Sequence, residues 1–402
     1  MSLLHVLDDA IRAERATLLE LAARLVRAPS MSPPGHTAAV AAEVLAYLRQ
    51  AGLSPQVVAA EASAPNVVAE VEGTGSGPHV VFNAHMDTMQ AGDETAWTVP
   101  VLDLTRRDGK VFGLGMGNMK GALAAMCLAT AVLNRHRHRF AGKLTMTAVC
   151  DEVMFGERGT VHLLRARPDL AGDYLISGEG PGFMQLAPAE KGLLWLDVQA
   201  QGMGGHSSRA LEGRTAAMRL AVFLSRLDRM NSHFAVPPAQ IKDISGGEGN
   251  LGMRLSANVG AMSAGEVRSL IAEHARAEID FRLPPGISAA EVQSQVNALA
   301  QEIGGLSVTV VKAWDANWTA FENPLVTTIR KVATEIRGVP PELVVRLPGS
   351  DARRWRDLGT PAVCYGPQPT LSAGVDDYAN EQDLIDCAVI YARTAIGLMG
   401  IV

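Results

Sequence analysis

A short run, Val80-Val81-Phe82-Asn83, ends on Ala84-His85-Met86-Asp87-Thr88, and this junction constrains the chain more than any other stretch. Val80–Asn83 reads as a strand buried on both faces, because it is brief, apolar and rich in β-branched and aromatic residues. Its C-terminal end delivers His85 and Asp87, two residues apart. An imidazole can bind a metal through one ring nitrogen while a nearby carboxylate fixes the other. The stretch then runs into a glycine-rich turn, Gly113–Gly117, and a helix of small residues from Lys120 onward. The small side chains suit a helix lying close on a sheet.

The chain has 402 residues, long enough for two or more domains with separate cores. It is 48% apolar with a net charge of −6, and no region is basic enough for nucleic acid. Cys127, Cys150, Cys364 and Cys387 show no paired spacing and sit in apolar runs, so buried reduced thiols and a cytoplasmic location are expected. Residues 1–30 read as one amphipathic helix without a signal-peptide core. No apolar run is expected to reach the length of a membrane span. The expected partner is a small molecule, with no nucleic acid and no membrane.

Strands and helices alternate up to about residue 187, with strands at Lys143–Val149 and Tyr174–Ser177 ending next to Asp151, Glu152 and Glu179. Polar residues at strand C-termini are the ligand-binding pattern of an α/β sheet. Residues 188–312 change texture to strand–helix–strand–strand–helix–strand, an α+β (ferredoxin-like) module. Within it, the segment from Ala264 to His274 is expected to carry a helix, and a Gly-rich turn leads into His206-Ser207-Ser208. From 313 to 402 helix and strand alternate again. The fold class is therefore α/β: a mixed-sheet catalytic domain, 1–187 and 313–402, interrupted by an inserted module at 188–312.

The landmarks fall in a fixed order: HMDT from His85, DGKVFGLGMGNMKG from Asp108, CDEVMFGERGT from Cys150 and SGEG from Ser177. KGLLW from Lys191, GMGGHSS from Gly202, DFRLPPG from Asp280, GSDARRW from Gly349 and YGP from Tyr365 follow. Together they resemble the acetylornithine deacetylase, succinyl-diaminopimelate desuccinylase and carboxypeptidase G family of two-zinc hydrolases. The resemblance covers nearly the whole chain and implies a zinc-peptidase-like catalytic domain with a lid or dimerisation module, and a homodimer. In such enzymes two ions about 3.5–4 Å apart share a bridging carboxylate and a water. The resemblance implies His85 and Glu179 as ligands of one ion, Glu152 as a ligand of the other, and Asp87 as the residue that orients His85. It implies Asp151 as general base, one methylene shorter than the usual Glu, and His206 as oxyanion stabiliser, often from a partner subunit. It also implies a cis peptide between Asn118 and Met119.

Two positions depart from the pattern. The bridging position is Asn118, and a neutral amide binds one cation weakly and cannot neutralise two. The C-terminal histidine position is Ala373. No Asp or Glu lies between Asp108 and Asp151, and the last histidine is His274, so no shift of register supplies either ligand. The expected cofactor is at most one zinc or other divalent ion. Asn118, Arg282, Ser350 and Asp351 are candidate substrate contacts. Arg282 equally suits a pair with Asp280, and Ser350-Asp351 a tight turn.

Three functions follow. The first is hydrolysis of an amide bond in a small N-acyl amino acid or peptide-like substrate. The second is metal-independent acid/base chemistry (condensation, cyclisation, elimination or isomerisation) in a specialised biosynthetic pathway on the same scaffold. The third is a non-catalytic binding protein, which would have no need of the acidic pair and glycine turns that persist here.

Overall fold

The computed structural model describes residues 2–368 and 374–402. The chain divides into two compact units. One comprises Met1–Pro188, Thr319–Leu343 and Ser350–Val402; the other comprises Ala189–Trp318 and Val344–Gly349.

The first unit is built on a mixed sheet. Its strands lie in the order Gln56–Glu61, Ala64–Glu72, Lys143–Val149, His79–His85, Tyr174–Ser177, Ala362–Cys364 and Gln185–Glu190. His79–His85 is central and parallel to both neighbours, with Val80 opposite Leu144 on one side and Tyr174 on the other. Its residues from Val80 onward are buried, as a parallel strand covered on both faces requires. The edge strand Gln56–Glu61 pairs antiparallel with Ala64–Glu72, which in turn pairs antiparallel with Lys143–Val149. The helices Gly121–Arg135 and Glu381–Met399 cover the sheet, and Phe82 meets Tyr391 with ring centroids 5.9 Å apart.

The amino-terminal stretch forms two helices, Leu3–Ala13 and Arg15–Arg27, rather than one. The chain turns at Glu14, whose N–H bonds back to the Ile11 carbonyl. Met116–Arg135 is long and apolar enough to cross a membrane by length and composition, which corrects the expectation from the sequence. Small alanines and glycines hide that length from the eye. Its backbone leaves helical geometry at Asn118 and Met119, and Gly121–Leu133 is buried in the protein core.

The second unit is a four-stranded antiparallel sheet in the order Ser256–Ala264, His274–Leu283, Gly192–Gln201 and Leu306–Trp314. Helices Ala216–Asp228 and Ala289–Ile303 pack on one face through Phe223, Leu227, Val292 and Val296. A capping box of Ser288 and Glu291 starts the second helix. The segment from Ala264 to His274 holds no helix. Leu270–Ile271 instead pairs with Gly205–His206, and Gly265 sits at φ 63. All four cysteines are buried and free.

Candidate functional site

The parallel strands bring three groups together in the first unit. His85 is the last residue of its strand, Glu152 follows Lys143–Val149, and Glu179 follows Tyr174–Ser177. Their ligand atoms lie within 4.8 Å of one another, and all three residues are buried. His85 Nε2 is 3.7 Å from Glu179 Oε1 and 3.8 Å from Glu152 Oε2. This set could hold a metal ion. Asn118 Oδ1 is 3.1 Å from the same nitrogen. The Asn118–Met119 peptide is cis, as the resemblance implies.

Asp87 fixes the other side of the ring. Its main-chain carbonyl lies 2.8 Å from His85 Nδ1, and its carboxylate Oδ1 lies 3.6 Å away. The Asp87 carboxylate itself accepts from the main-chain N–H groups of Glu152 (3.2 Å) and Val153 (3.0 Å). The loop that carries Glu152 is thus tied to the residue that aims His85, as outer partners of metal ligands commonly are. Burial lowers the His85 imidazole, but Glu179, Glu152 and Asp87 outweigh it and raise it to about 10. Burial, then the Glu179 charge, pushes Glu152 well above the usual carboxylate range. Crowded buried carboxylates resist ionisation until a cation joins them.

Asp351 is also buried here. Its Oδ2 accepts from Asn83 Nδ2 at 3.3 Å, and Asn83 Oδ1 accepts from the Thr147 hydroxyl at 2.7 Å. Burial raises Asp351 to about 6. Ser350 Oγ accepts the Ala352 N–H at 3.2 Å at the start of helix Ala352–Asp357, and lies 3.3 Å from Cys364 Sγ.

Asp151 has a different environment from the one its neighbour shares. Both its oxygens accept from the Arg158 guanidinium, at 3.1 and 3.0 Å. Arg158 was not singled out by the sequence. Neither was Asp377, which accepts from the N–H groups of Gly115 (2.8 Å) and Gly117 (3.1 Å) and so holds the turn before Asn118. Lys120 is fully buried and donates to the Ala28 carbonyl at 2.8 Å. Its place in NMKG is visible in the sequence; its burial is not.

His206 and Arg282 belong to the second unit. His206 is exposed, with Nδ1 2.8 Å from Ser208 Oγ. Arg282 pairs with Asp280 through Nη2 at 2.9 Å. Ala373 lies outside the described residues.

The family model for peptidase family M20/M25/M40 matches residues 81–396. The chain belongs to this family. Solved structures with the same fold include human carnosine dipeptidase 1, at 14% identity, 99% coverage of both chains and a TM-score of 0.77. The M20 family metallo-carboxypeptidase Sso-CP2 from Sulfolobus solfataricus matches at 18% identity over 95% of this chain and 99% of its own, TM-score 0.77. The dipeptidase Dug1p from Saccharomyces cerevisiae matches at 14% identity over 99% and 98%, TM-score 0.76. These likenesses establish the fold; family membership carries the enzyme class, an amide-bond hydrolase of metallopeptidase type.

Proposed function

We propose that this M20 protein hydrolyses the amide bond of a small N-acyl amino acid or peptide-like substrate with one divalent ion in place of two. The observation that carries the reading is the convergence of His85, Glu152 and Glu179 within 4.8 Å. One imidazole and two carboxylates, with a fourth position open, match the donor set of a catalytic single-ion site. The same residues do not suit a pair of ions, because Asn118 is neutral and position 373 is alanine. Bound there, a divalent ion would polarise the scissile carbonyl.

The chain's own residues supply the rest. Asp87 keeps the His85 ring aimed at Glu152 and Glu179. Asp151 is the proton acceptor this reading needs, and one of its oxygens must leave Arg158 for that. His206 stabilises the oxyanion and Arg282 takes a substrate carboxylate, while Asn118, Ser350 and Asp351 contact or position the substrate. A homodimer in the cytoplasm completes the reading.

Metal analysis of protein purified without chelator tests it first, with about one equivalent of zinc expected. Two equivalents overturn the single-ion reading. Turnover across a panel of N-acyl amino acids and dipeptides tests the chemistry. Inert protein after addition of zinc, cobalt and manganese counts against hydrolysis, and turnover undiminished by chelator favours metal-independent chemistry instead.

A further inference from the structure

A cleft in the first unit lies apart from the site described above. The helix Gly121–Arg135 begins next to Asn118 and brings Arg135 to this cleft at its other end. The helices Arg15–Arg27 and Ala38–Gln50 complete its walls. Its volume is about 320 Å³, at the small end of the range for small-molecule clefts. Its charged lining is Glu14, Glu20, Arg24 and Arg135, two of each sign. Ala51 and Ala131 add apolar surface.

These charges are not equally committed. Arg135 Nη2 donates to Glu14 Oε1, so that pair is closed. The Arg24 guanidinium has one ion pair, with Nη1 3.5 Å from Oε2 of Glu43, which lies outside the lining. Its Nε is buried without a hydrogen-bond partner among the described residues. Glu20 stands four residues before Arg24 on one helix, a spacing at which carboxylate and guanidinium ordinarily pair. They do not pair here, and the Glu20 carboxylate has no partner among the described residues. Tyr47 lines the cleft and is 6% exposed, and its hydroxyl has no hydrogen-bond partner among the described residues. Burial pushes the phenol up, so it stays protonated and able to donate. Polar groups held out of water without partners are costly, and a ligand that pairs them relieves that cost.

We propose that this cleft binds a free α-amino acid as its zwitterion. The ligand carboxylate sits on Arg24 and the Tyr47 hydroxyl, the ammonium on Glu20, and the side chain against Ala51 and Ala131. One open cation and one open anion select a molecule that carries both charges over one that carries either alone. Glu14 and Arg135, already joined, close the cleft without adding net charge. The site does not rest on the hydrolase reading, although the amino acid that amide hydrolysis releases belongs to this class.

The test is equilibrium binding by calorimetry to the full chain, stripped of metal and freed of chelator. Glycine, L-alanine and L-leucine serve as probes, and at least one is expected to bind. For the tightest, the carboxylic acid lacking its amino group and the amine lacking its carboxylate each bind about tenfold more weakly. Arg24→Gln and Glu20→Gln each weaken the amino acid about tenfold, and Tyr47→Phe about threefold. His85→Ala leaves the affinity unchanged, which separates this cleft from the metal pocket. No binding of any probe, or equal binding of the amino acid and either truncated probe, overturns the proposal. So does an affinity indifferent to Arg24→Gln and Glu20→Gln, or one lost in His85→Ala; Glu20 and Arg24 are then a solvated helix face. Thermal melts without ligand report folding, and the two surface variants decide the matter if Tyr47→Phe does not fold. Failure of the hydrolase reading leaves these affinities untouched.

Discussion

Asp151 and Arg158 meet through two parallel bonds, Nε to Oδ2 at 3.1 Å and Nη2 to Oδ1 at 3.0 Å. The Arg158 main-chain N–H adds a third to Oδ2 at 3.1 Å. Asp151 sits at φ 61, a conformation Asp tolerates better than most residues. Gly156 leaves the space: a Cβ there would lie 1.9 Å from Asp151 Oδ2. Arg158 also reaches Glu61 (3.3 Å) and the Pro34 carbonyl (3.4 Å), so one guanidinium ties the Glu152 loop to the Ser/Pro loop.

Replacing Arg158 by Met strands the nearly buried Asp151 carboxylate. The expected loss of unfolding free energy is about 2 kcal/mol, the scale of hydrogen bonds to a charged group with a partly exposed partner. Denaturant titration measures it. The double variant with Asp151→Asn should lose less than the two singles combined, since each removes the same pair. Strict additivity would show the pair to be energetically idle.

Stability should depend on pH through Asp377. Burial pushes this carboxyl up to about 7, against the Gly117 and Gly115 N–H groups that favour its anion. The folded value exceeds the ordinary 3.8. From about pH 4 to 7 the folded chain therefore keeps a proton that the unfolded chain has released, and stability falls as pH rises. The wild type minus Asp377→Asn difference in unfolding free energy should decline by about 2–4 kcal/mol across that window. Lys120, lowered to about 7 by burial, acts above the window: stability gains as pH rises beyond it, because the folded chain sheds a proton the unfolded chain retains. A flat difference between pH 4 and 7 would place Asp377 in water.

His206 offers a cleaner separation of fold from chemistry. It is exposed, and its ring nitrogen engages only Ser208 among the described residues. His206→Ala should leave the thermal melt and the metal content unchanged. If it stabilises an oxyanion, kcat falls about 100-fold with little change in KM. A drop in metal content without a change in kcat would assign it elsewhere.

The parts of this protein that could be read from its sequence are those governed by burial. Lys143–Val149 and Tyr174–Ser177 are apolar runs with one solution, a strand covered on both faces, and their ends present Glu152 and Glu179 where a sheet binds ligands. The inserted unit's strand and helix alternation is equally periodic. What escaped depends on partners distant in sequence or on turns. The segment from Ala264 to His274 is polar enough for an exposed helix, yet Leu270–Ile271 finds its hydrogen bonds on Gly205–His206. Lys120 carries a charge, and nothing local announces that it will be buried beneath the Ala28 carbonyl. Arg158 resembles any surface arginine until Asp151 is placed against it.

Asn118 provides the most direct test of the metal chemistry. Its Oδ1 stands 3.1 Å from His85 Nε2, on the same side as Glu152 and Glu179. An amide oxygen there adds a dipole and no charge; a carboxylate would add an anionic donor of almost the same shape. Asn118→Asp should therefore tighten zinc binding at least about tenfold, read by competition with a chromophoric chelator. The ion count should stay at one, since position 373 remains Ala and, on the single-ion reading, Glu152 would be committed to that ion. Adding Ala373→His to Asn118→Asp should raise the count toward two. Metal-free Asn118→Asp should melt lower than the metal-free wild type, because a further carboxylate joins Glu152, already pushed up by burial and Glu179. Excess zinc should reverse that order. Unchanged zinc affinity in Asn118→Asp would mean that this side chain does not face the ion, and the single-ion reading would lose its physical basis.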